Sequence, residues 1–398
     1  MNVLGIGLDY LMLGKDKVRG DVALRQLDYA KHLGSLTLVI YSPSHLNLKP
    51  IQWADNLWIY PTNSINKNMF IIDALRIASK ICRDTNIDVI TTEDPFVTGL
   101  VGWVLKSRYN IPLNVQAHID FFDNTYWQSL RFINKVFNRL GKFICKNATT
   151  VRVVARETKE SLERYGIPPE KVKLLSVHSD LRHFRQKADA SIRRQYLNNR
   201  FDHMLLFVGR LVDQKDIPNL FSAFALILKK MPKTVLILIG HGPKKTDLEM
   251  LARKMGIDSN IVLTGSVDHS VIQKYYSACD VFVLPSIFEG RATVIVEAIL
   301  SKKPIVSTDV SGLREWILDG ETGFIVKRKD PESFADKVLY FLQNPDIAKI
   351  FGEKGHKIAQ TKIEEIGDIT SMIKLWAATA STKIIDPNWS SGGATSDK

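Results

Sequence analysis

The fold of this chain is most readily inferred from residues 281–298, which run VFVLPSIFEGRATVIVEA. Val281 to Leu284 are a short apolar run typical of a buried strand, and a loop beginning at Pro285 follows it. From Thr293 the residues are again mostly apolar, and the length of the segment favours a helix. A short strand followed directly by a helix is the repeating unit of a parallel α/β sheet.

The same alternation of short apolar runs and helical segments continues in both directions along the chain. A polar, basic stretch from Gln186 to His203 interrupts it and is the expected hinge between two domains. The predicted fold is α/β: two facing Rossmann-like domains, each a doubly wound parallel sheet, with a ligand-binding cleft between them. The expected strands are Val3 to Leu8, Leu36 to Tyr41, Val89 to Thr92, Leu113 to Gln116, Thr150 to Val154, Met204 to Val208, Thr234 to Ile239, Ile261 to Thr264, Val281 to Leu284, Pro304 to Thr308 and Gly323 to Val326.

The domain boundaries follow from the hinge. The first domain is expected over residues 1–190 and the second over 200–360. A C-terminal helix is expected over 361–380, with a return to the first domain as an open alternative. The Ser- and Gly-rich segment 381–398 is expected to be disordered.

Composition excludes several classes of protein. The chain is 45% hydrophobic and 24% charged, which is an ordinary composition for a globular protein. Its 398 residues are too many for one small domain. No apolar run reaches the roughly 18 to 20 residues of a bilayer-spanning helix, and the three cysteines lack the spacing of a metal site. The apolar start, Met1 to Leu13, contains Asp9 and no basic leader, so we interpret it as a strand and expect a cytoplasmic protein. The net charge of +12 leaves nucleic acid, a membrane surface or an acidic ligand as candidate partners.

Two glutamates within residues 281–298 are candidates for binding a sugar. Glu289 lies in the loop after a predicted strand, and Glu297 lies within the apolar helix that follows. An ionised carboxylate among apolar residues is costly unless it is hydrogen-bonded, and the hydroxyls of a sugar or ribose would supply the bonds. The backbone amides of Arg291, Ala292 and Thr293, at the start of the helix, are expected to receive an anion. The alternative is that Glu297 is a structural acceptor inside the fold.

Positive charge follows the strand Met204 to Val208. Arg210 and Lys215 come after Gly209, and a planar guanidinium with a compact ammonium suits a diphosphate. In the alternative interpretation both side chains only cap the sheet edge. The turn Gly240-His241-Gly242 also follows a predicted strand, and it would let backbone approach a ligand closely.

These motifs, taken in order, resemble the donor domain of family 4 glycosyltransferases, the large glycogen-synthase-like group with the GT-B fold and a retaining mechanism. The similarity is strong over about Leu205 to Gly355 and looser in the first half. The residues that carry it are Gly209-Arg210-Leu211, Lys215, Gly240, Gly242-Pro243, Gly265, Val267, Asp280-Val281, Pro285-Ser286, Glu289, Glu297, Lys303-Pro304, Gly312, Glu315, Asp319-Gly320 and Gly323.

The resemblance implies roles for individual residues. Arg210 and Lys215 would hold the donor diphosphate, with Gly20, Gly242, Val267 and the amides of residues 291–293 also in the donor site. Glu297 would bind the ribose hydroxyls, and Glu289 would contact the transferred sugar. His118, at the end of the strand Leu113 to Gln116, matches the histidine that lies beside the reacting sugar, although a lone histidine there is more often structural.

The resemblance also implies the substrates, and this chain departs from the family pattern at three places. A UDP- or GDP-sugar is the expected co-substrate, with no other cofactor and no metal, because basic side chains neutralise the diphosphate. The chain differs from the pattern at Asp21, where a second glycine is usual, at Ser176 to Asp180, and at Arg291 to Thr293. These differences bear on the acceptor and on the donor sugar.

No acidic residue lies between Asn124 and Arg156, and within this stretch a basic, apolar helix is expected between about Arg131 and Lys146. Its positive charges form one stripe at helical spacing, and a second stripe is apolar. Such a helix binds anionic lipid, so contact with the inner face of the cytoplasmic membrane is one reading, and packing of the apolar stripe on the sheet is the other. The basic stripe is Arg131, Lys135, Arg139, Lys142 and Lys146, and the apolar stripe is Leu130, Ile133, Phe137, Leu140 and Ile144.

The function predicted from the sequence is a retaining, metal-independent glycosyltransferase. It moves a sugar from a nucleotide donor to a hydroxyl of a glycan or lipid-linked glycan, in the synthesis of a cell-surface polysaccharide or glycolipid. A sugar-nucleotide epimerase of the same fold is the alternative. A nucleic-acid-binding protein would explain the basic stripe but neither of the two glutamates.

Overall fold

The computed structural model describes residues 1–13, 21–118, 121–122, 124–175, 191–289, 293–310, 312–365 and 369–382. Within these ranges the chain forms two units. The first unit comprises described residues up to 153, together with 158–175 and 369–382, and the second comprises 154–157 and the described residues from 191 to 365.

One mixed sheet forms the first unit. Its strands are β1 (Asn2–Gly7), β2 (Ser35–Ile40), β3 (Ile51–Ala54), β4 (Leu57–Pro61), β5 (Val89–Thr92), β6 (Leu113–Ala117), β7 (Thr150–Val153) and β8 (Val172–Leu174). Their order is β3-β4-β2-β1-β5-β6-β7-β8, and only the pair of β3 with β4 is antiparallel. The helices are α1 (Asp21–Ala30), α2 (Phe70–Asp84), α3 (Val97–Tyr109), α4 (Thr125–Leu130), α5 (Phe132–Asn147) and α6 (Arg156–Arg164).

All five strands expected in the first half are present, within one residue at each end. The expectation missed the two edge strands, β3 and β8, and also β4, which lies next to β3. Edge strands are short and partly exposed, as β8 is here with Lys173 and Leu174 exposed, so they lack the continuous apolar run of a buried parallel strand.

A parallel six-stranded sheet forms the second unit. The strands are β9 (His203–Val208), β10 (Thr234–Ile239), β11 (Ile261–Gly265), β12 (Val281–Leu284), β13 (Ile305–Thr308) and β14 (Phe324–Val326), in the order β11-β10-β9-β12-β13-β14. The helices are α7 (Ser191–Leu197), α8 (Ile217–Lys230), α9 (Lys245–Lys254), α10 (His269–Ala278), α11 (Thr293–Leu300), α12 (Pro331–Gln343) and α13 (Pro345–Glu365). The two α/β units, one with a wholly parallel sheet and one with a sheet that is parallel except for the β3–β4 pair, confirm the predicted fold class. All six strands expected in the second half occur.

The strand order of the second unit places its candidate residues together. Every residue of β10 and of β12 is buried, as expected for strands covered by helices on both faces. Strand β9 pairs with β10 on one side and with β12 on the other. The loops that leave β9 and β12 therefore begin side by side at the carboxyl end of the sheet, where ligands bind in folds of this type.

The C-terminal part of the expected hinge is a helix of the second unit. Arg193 on α7 donates through Nη1 to Asp280 Oδ1 at 2.8 Å and to the carbonyl of Ala278 at 2.8 Å. Asp280 also accepts from the backbone amide of Met204 at 2.8 Å, so α7 is fastened to the start of β9. Residues 191–197 are thus part of a packed unit and not a linker; the polar character of this stretch comes from the exposed face of a short helix.

The last described helix, α14 (Ile369–Ala380), belongs to the first unit. Trp376 packs edge-on against Tyr29 with ring centroids 5.1 Å apart, and Thr379 is hydrogen-bonded to Thr150 on β7 at 2.8 Å. The predicted disordered segment, 381–398, lies outside the described residues after its first two positions. Among the described helices, none combines the length and apolar character needed to cross a bilayer.

Candidate functional site

The centre of the candidate site is an ion pair between the loops that leave β9 and β12. Lys215 Nζ lies 2.5 Å from Glu289 Oε1, and Ser286 Oγ donates to the same oxygen. Lys215 is 8% exposed and Glu289 is 7% exposed, so both charges are buried. A buried charge pair persists only where its geometry and further hydrogen bonds offset desolvation, and the Ser286 hydroxyl supplies such a bond.

Gln214 fixes the two loops to each other. Its side-chain amide donates to the backbone carbonyl of Phe288 at 2.8 Å, and its backbone carbonyl accepts from the backbone amide of Ile287 at 2.9 Å. These bonds tie the two residues that precede Glu289 to the residue that precedes Lys215, so they hold the two loops together beside the ion pair. Neither Gln214 nor the Ser286 hydroxyl was singled out from the sequence as a site residue, because their partners lie more than 70 residues away or depend on the path of the loop.

The glycines near this pair are required by a close contact between backbones. A Cβ on Gly240 would lie 1.9 Å from the carbonyl oxygen of Gly209, and one on Gly242 would lie 2.2 Å from that of Leu211. The amide of Leu211 donates to His241 O at 3.0 Å across the same contact. The sequence suggested that this turn makes room for a ligand; in the structure it makes room for the loop that carries Arg210.

Arg210 and Val267 occupy different environments at this edge of the sheet. Arg210 is exposed at the end of β9, whereas Lys215 is buried a few residues later. Val267 follows β11, is half-buried and packs against the core of the second unit. Of the two cations expected to meet a diphosphate, only Arg210 is exposed, and Lys215 is already bonded to a carboxylate.

Glu297 lies on α11, the helix that Thr293 begins. It is buried, and its Oε2 accepts a hydrogen bond of 2.7 Å from the hydroxyl of Tyr276 on α10. Burial, reinforced by the carboxylate of Glu297, raises the pKa of Tyr276 well above its usual value, so the hydroxyl keeps its proton and remains a donor. The structure therefore supplies one of the bonds that a carboxylate in this apolar helix needs.

His118 follows β6 in the first unit and is half-buried. Burial, together with the charges of Arg152 and Arg25, lowers its pKa to about 3, so the imidazole is neutral at physiological pH. Arg152 is held in the sheet by bonds from Nη1 to Gln116 Oε1 at 2.7 Å and from Nε to Leu175 O at 2.9 Å. A neutral imidazole both donates and accepts hydrogen bonds, which suits contact with hydroxyl groups.

Glu93, which was not selected from the sequence, lies at the same edge as His118. It follows β5, the strand next to β6, and its Oε2 accepts from the amide of Leu8 at 2.9 Å. Burial raises its pKa to about 7, against the bond from Leu8 and with a further contribution from Asp9. A Cβ on Gly7 would lie 2.7 Å from this carboxyl, so the carboxyl packs directly on the β1 backbone. A single acidic residue after a strand is too common a pattern to have marked it.

The basic helix, α5, turns two of its asparagines inward. On α5 the buried positions include Asn134 and Asn138, whose side chains donate to the carbonyls of Trp127 and Phe121 at 2.7 and 2.8 Å. Phe132 is 81% exposed. Of the apolar stripe that one interpretation packed on the sheet, Ile144 is buried and Phe137 and Leu140 are half-buried, whereas the other two members are exposed. The exposed apolar side chains of α4 and α5 are Leu130, Phe132, Ile133, Val136 and Phe143.

Most of the predicted basic stripe is on this exposed side. Arg131, Lys135, Arg139 and Lys146 are exposed. Lys142 is half-buried instead, because its ammonium lies over the ring of Tyr165, 3.3 Å from the centroid. Lys135 and Phe132 also line an open groove of about 510 Å³ together with Thr125, Gln128 and Ser129.

Some of the predicted residues cannot be placed. Gly20, Arg291 and Ala292 lie outside the described residues, and so do the departures at residues 176–180. The structure brings together Lys215 and Glu289, and it places His118 in the other unit. In the part of the chain that the structure describes, no three His, Cys, Asp or Glu side chains are grouped so that they could hold a metal ion.

Comparison with known proteins identifies both halves of the chain. The family model "Glycosyltransferase Family 4" matches residues 27–183, and the model "Glycosyl transferases group 1" matches residues 189–358. The α-D-kanosaminyltransferase of Streptomyces kanamyceticus is 27% identical over 270 residues, which is 65% of this chain and 69% of that protein.

Solved structures with the same fold extend over nearly the whole chain. Sucrose-phosphate synthase from Thermosynechococcus elongatus has a TM-score of 0.79 at 20% identity, covering 95% of this chain and 98% of that one. HepE of Anabaena, in complex with UDP-glucose, has a TM-score of 0.73 at 18% identity, covering 96% and 99%. The fold is therefore GT-B, and the chain belongs to the family 4, group 1 glycosyltransferases, enzymes that transfer glycosyl groups.

Proposed function

We propose that this glycosyltransferase takes its sugar from a UDP- or GDP-linked donor and transfers it, with retention of configuration, to a hydroxyl group. The observation that carries the proposal is the buried Lys215–Glu289 pair, fixed by Gln214 and Ser286 beside the exposed Arg210. A nucleotide sugar offers a diphosphate to cations and hydroxyls to a carboxylate, and this edge of the sheet carries both. HepE, which has the same fold, was crystallised with UDP-glucose.

Arg210 and Lys215 would stabilise the leaving nucleoside diphosphate. Negative charge grows on the phosphate oxygens as the glycosidic bond breaks, and fixed cations stabilise that charge without reorganisation. Arg210, being exposed, can close on the diphosphate as a planar fork. We propose that the two side chains do this without a metal ion, with the amides of residues 291–293 as further donors.

The carboxylates and His118 would recognise the sugar and the ribose. Glu289 would accept from hydroxyls of the transferred sugar through an orientation that Lys215 and Ser286 fix. Glu297 would accept from the ribose. His118 would bond the sugar as a neutral imidazole, and the departing phosphate would take the proton of the acceptor hydroxyl.

A donor screen tests this proposal. The purified protein is mixed with UDP- and GDP-sugars, and thermal shift and nucleoside diphosphate release are measured, because a ligand that binds the native state raises its apparent stability. We expect one donor to stabilise the protein and Arg210→Ala to lose at least roughly tenfold in affinity. Arg253→Ala is the matched control, since Arg253 is an exposed arginine of the same unit on α9.

Two results would contradict the proposal. Equal donor affinity in wild type and Arg210→Ala would remove Arg210 from the diphosphate site. Epimerisation of a nucleotide sugar, with no transfer to any acceptor, would establish the epimerase chemistry in place of transfer.

For the acceptor we propose a glycan or lipid-linked glycan at an anionic membrane surface, as in synthesis of a surface polysaccharide or glycolipid. The support is the α4–α5 surface, where exposed apolar side chains lie among exposed cations, while the buried residues of α5 include Asn134 and Asn138. Interfacial helices bind anionic bilayers through this combination of apolar burial and charge.

Vesicle flotation tests the membrane contact. We expect salt-sensitive binding to vesicles that contain anionic lipid, and loss of binding when Arg131, Lys135 and Arg139 are replaced by Gln. Replacing Lys229, Lys230 and Lys254, which are exposed in the second unit, removes the same charge and should leave binding unchanged. Equal loss in both triple variants would indicate a general charge effect, and binding that survives the α5 changes would exclude this surface.

A further inference from the structure

Tyr276 is the direct neighbour of the carboxylate that we assign to the ribose. It lies on α10, its side chain is fully buried, and its hydroxyl donates to Glu297 Oε2 at 2.7 Å. Its ring also packs against Phe282 of β12, with centroids 5.4 Å apart. Nothing in the motif series that identified the donor half includes this residue.

In this pair the hydrogen-bond donor, the hydroxyl of Tyr276, is held rigidly, whereas the acceptor Glu297 has more side-chain conformational freedom. A tyrosine hydroxyl has its position set by only two side-chain torsions, and here the ring is fixed by the core. A glutamate has three torsions, the last of them broad, so a carboxylate on its own would populate several orientations. The bond from Tyr276 holds Oε2 of Glu297 towards α10 and so restricts where its other oxygen, Oε1, can lie.

We propose that Tyr276 is a positioning residue that orients Glu297 to accept a hydrogen bond from the 2′-hydroxyl of the ribose of the bound nucleoside diphosphate. The inference rests on the proposed function, in which Glu297 accepts from the ribose. It adds a specificity: the site selects a ribonucleotide over the 2′-deoxyribonucleotide, and the selection depends on a hydroxyl that touches only the protein.

Two interpretations of the pair make different forecasts. If the tyrosine only stabilises the fold, its hydroxyl contributes equally to the binding of every nucleotide. If it orients Glu297, removal of the hydroxyl affects ligands that carry the 2′-hydroxyl and leaves the deoxy forms unaffected. The ratio of the two affinities therefore separates the interpretations, whereas either affinity alone does not.

The experiment measures dissociation constants by calorimetry for UDP, 2′-deoxy-UDP, GDP and 2′-deoxy-GDP. The wild-type protein should prefer the ribo form of its nucleotide by roughly tenfold to a hundredfold, the range for a hydrogen bond to a charged group. Tyr276→Phe should reduce that preference at least about threefold while the affinity for the deoxy form changes little. Phe keeps the ring and its packing in the core.

Tyr275→Phe is the matched control. Tyr275 is the adjacent residue of the same helix, is nearly buried and has its hydroxyl bonded to Tyr196 and not to Glu297. Its change should leave the preference for the ribo form within about twofold of wild type. A fall in both variants would assign the effect to the helix as a whole and would overturn the proposal.

A double-mutant cycle tests whether Tyr276 acts through Glu297. In a Glu297→Gln background, Tyr276→Phe should lower the preference by less than about twofold, because the group it orients has already been altered. Equal effects of Tyr276→Phe in both backgrounds would show that it acts by another route. A uniform loss of affinity for all four nucleotides would establish a structural role.

A crystal structure of the wild-type protein with its nucleotide provides a measurement that needs no variant to fold. The Tyr276 hydroxyl should remain bonded to Glu297 while Glu297 contacts the ribose, and separation of Tyr276 from Glu297 in that complex would refute the proposal. Failure of wild type to bind any nucleoside diphosphate would refute the proposed function and, with it, the inference. Binding without a preference for the ribo form would refute the inference alone.

Discussion

Removing Lys215 without its partner should destabilise the second unit, and removing both should largely restore it. Lys215→Met deletes the ammonium that lies 2.5 Å from Glu289 Oε1 and leaves that buried carboxylate with the hydroxyl of Ser286. The single variant therefore tests more than diphosphate binding. A loss of activity in Lys215→Met would combine a missing cation with a disturbed Glu289 loop.

The expected magnitude follows from the burial of both groups. The side chain of Lys215 is 10% exposed and that of Glu289 is 8% exposed, so solvent screens the pair little. Breaking such a pair by removing one partner costs roughly 3–5 kcal/mol, because the remaining charge is desolvated and uncompensated. Replacing both by neutral side chains of similar volume, Lys215→Met with Glu289→Gln, should cost less than about 2 kcal/mol.

Hydrogen exchange of the ligand-free protein measures the loss of stability in the second unit separately from the first. Peptides that cover β9 and β12 report the local free energy of opening, and peptides that cover β1 and β5 serve as an internal reference in the first unit. Lys244→Met is the control, since Lys244 forms exposed pairs with Asp213 and Asp247 and should be silent. A single variant that is as stable as wild type, or a double variant as damaged as the single, would refute the buried-pair argument.

Three further changes test the glycine contact and the two titrating groups of the first unit. Because the folded pKa of Glu93 is about 7 against a reference of 4.5, the native state binds its proton more tightly than the unfolded state. Stability in urea should therefore fall by at most roughly 3 kcal/mol as pH rises from about 4.5 to 7, and Glu93→Gln should abolish this slope; a slope that persists assigns it to another group. The pKa of His118 is shifted in the opposite direction, to about 3 from a reference of 6.5, so its contribution to stability is present above about pH 6.5 and is lost as the pH falls towards 3. His118→Asn should remove this loss from the acid unfolding curve. If the loss remains in the variant, another group causes it. Gly240→Ala should disrupt the loop contact and abolish nucleotide binding in calorimetry, because its Cβ meets Gly209 O at 1.9 Å. Gly256→Ala, at a positive φ of 67° but in open space, should cost only about 1–2 kcal/mol, and equal damage from both changes would discount the contact.

The sequence predicted the second unit better than the first because its signals are local. The four central strands of the second sheet, β9, β10, β12 and β13, are buried almost throughout, and their apolar runs stand out between helices. The order of the donor motifs along the chain was enough to indicate the family. In the first unit the edge strands β3 and β8 are short, and their place in the sheet depends on neighbours distant in sequence.

The basic helix shows where pattern alone is ambiguous. Its periodicity correctly indicated a helix with a cationic stripe, but the apolar stripe did not reveal which side faces the core. Asn134 and Asn138 are buried because backbone carbonyls of Phe121, Phe122 and Trp127 need donors there. These carbonyls belong to residues outside the helix, so the sequence of the helix does not show which of its faces is buried. With the asparagines turned inward, several apolar side chains of the helix are left exposed.

The sequence by itself determined the α/β class, most of the strands and the family, because hydrophobic periodicity and the spacing of motifs are properties of consecutive residues. Tertiary structure alone decided which candidates interact. It paired Lys215 with Glu289 and Tyr276 with Glu297, explained Gly240 by contact with a second loop, and placed Glu93 and His118 after adjacent strands. Those contacts, and the burial that shifts the pKa values, arise from segments far apart in the chain, so no local pattern encodes them.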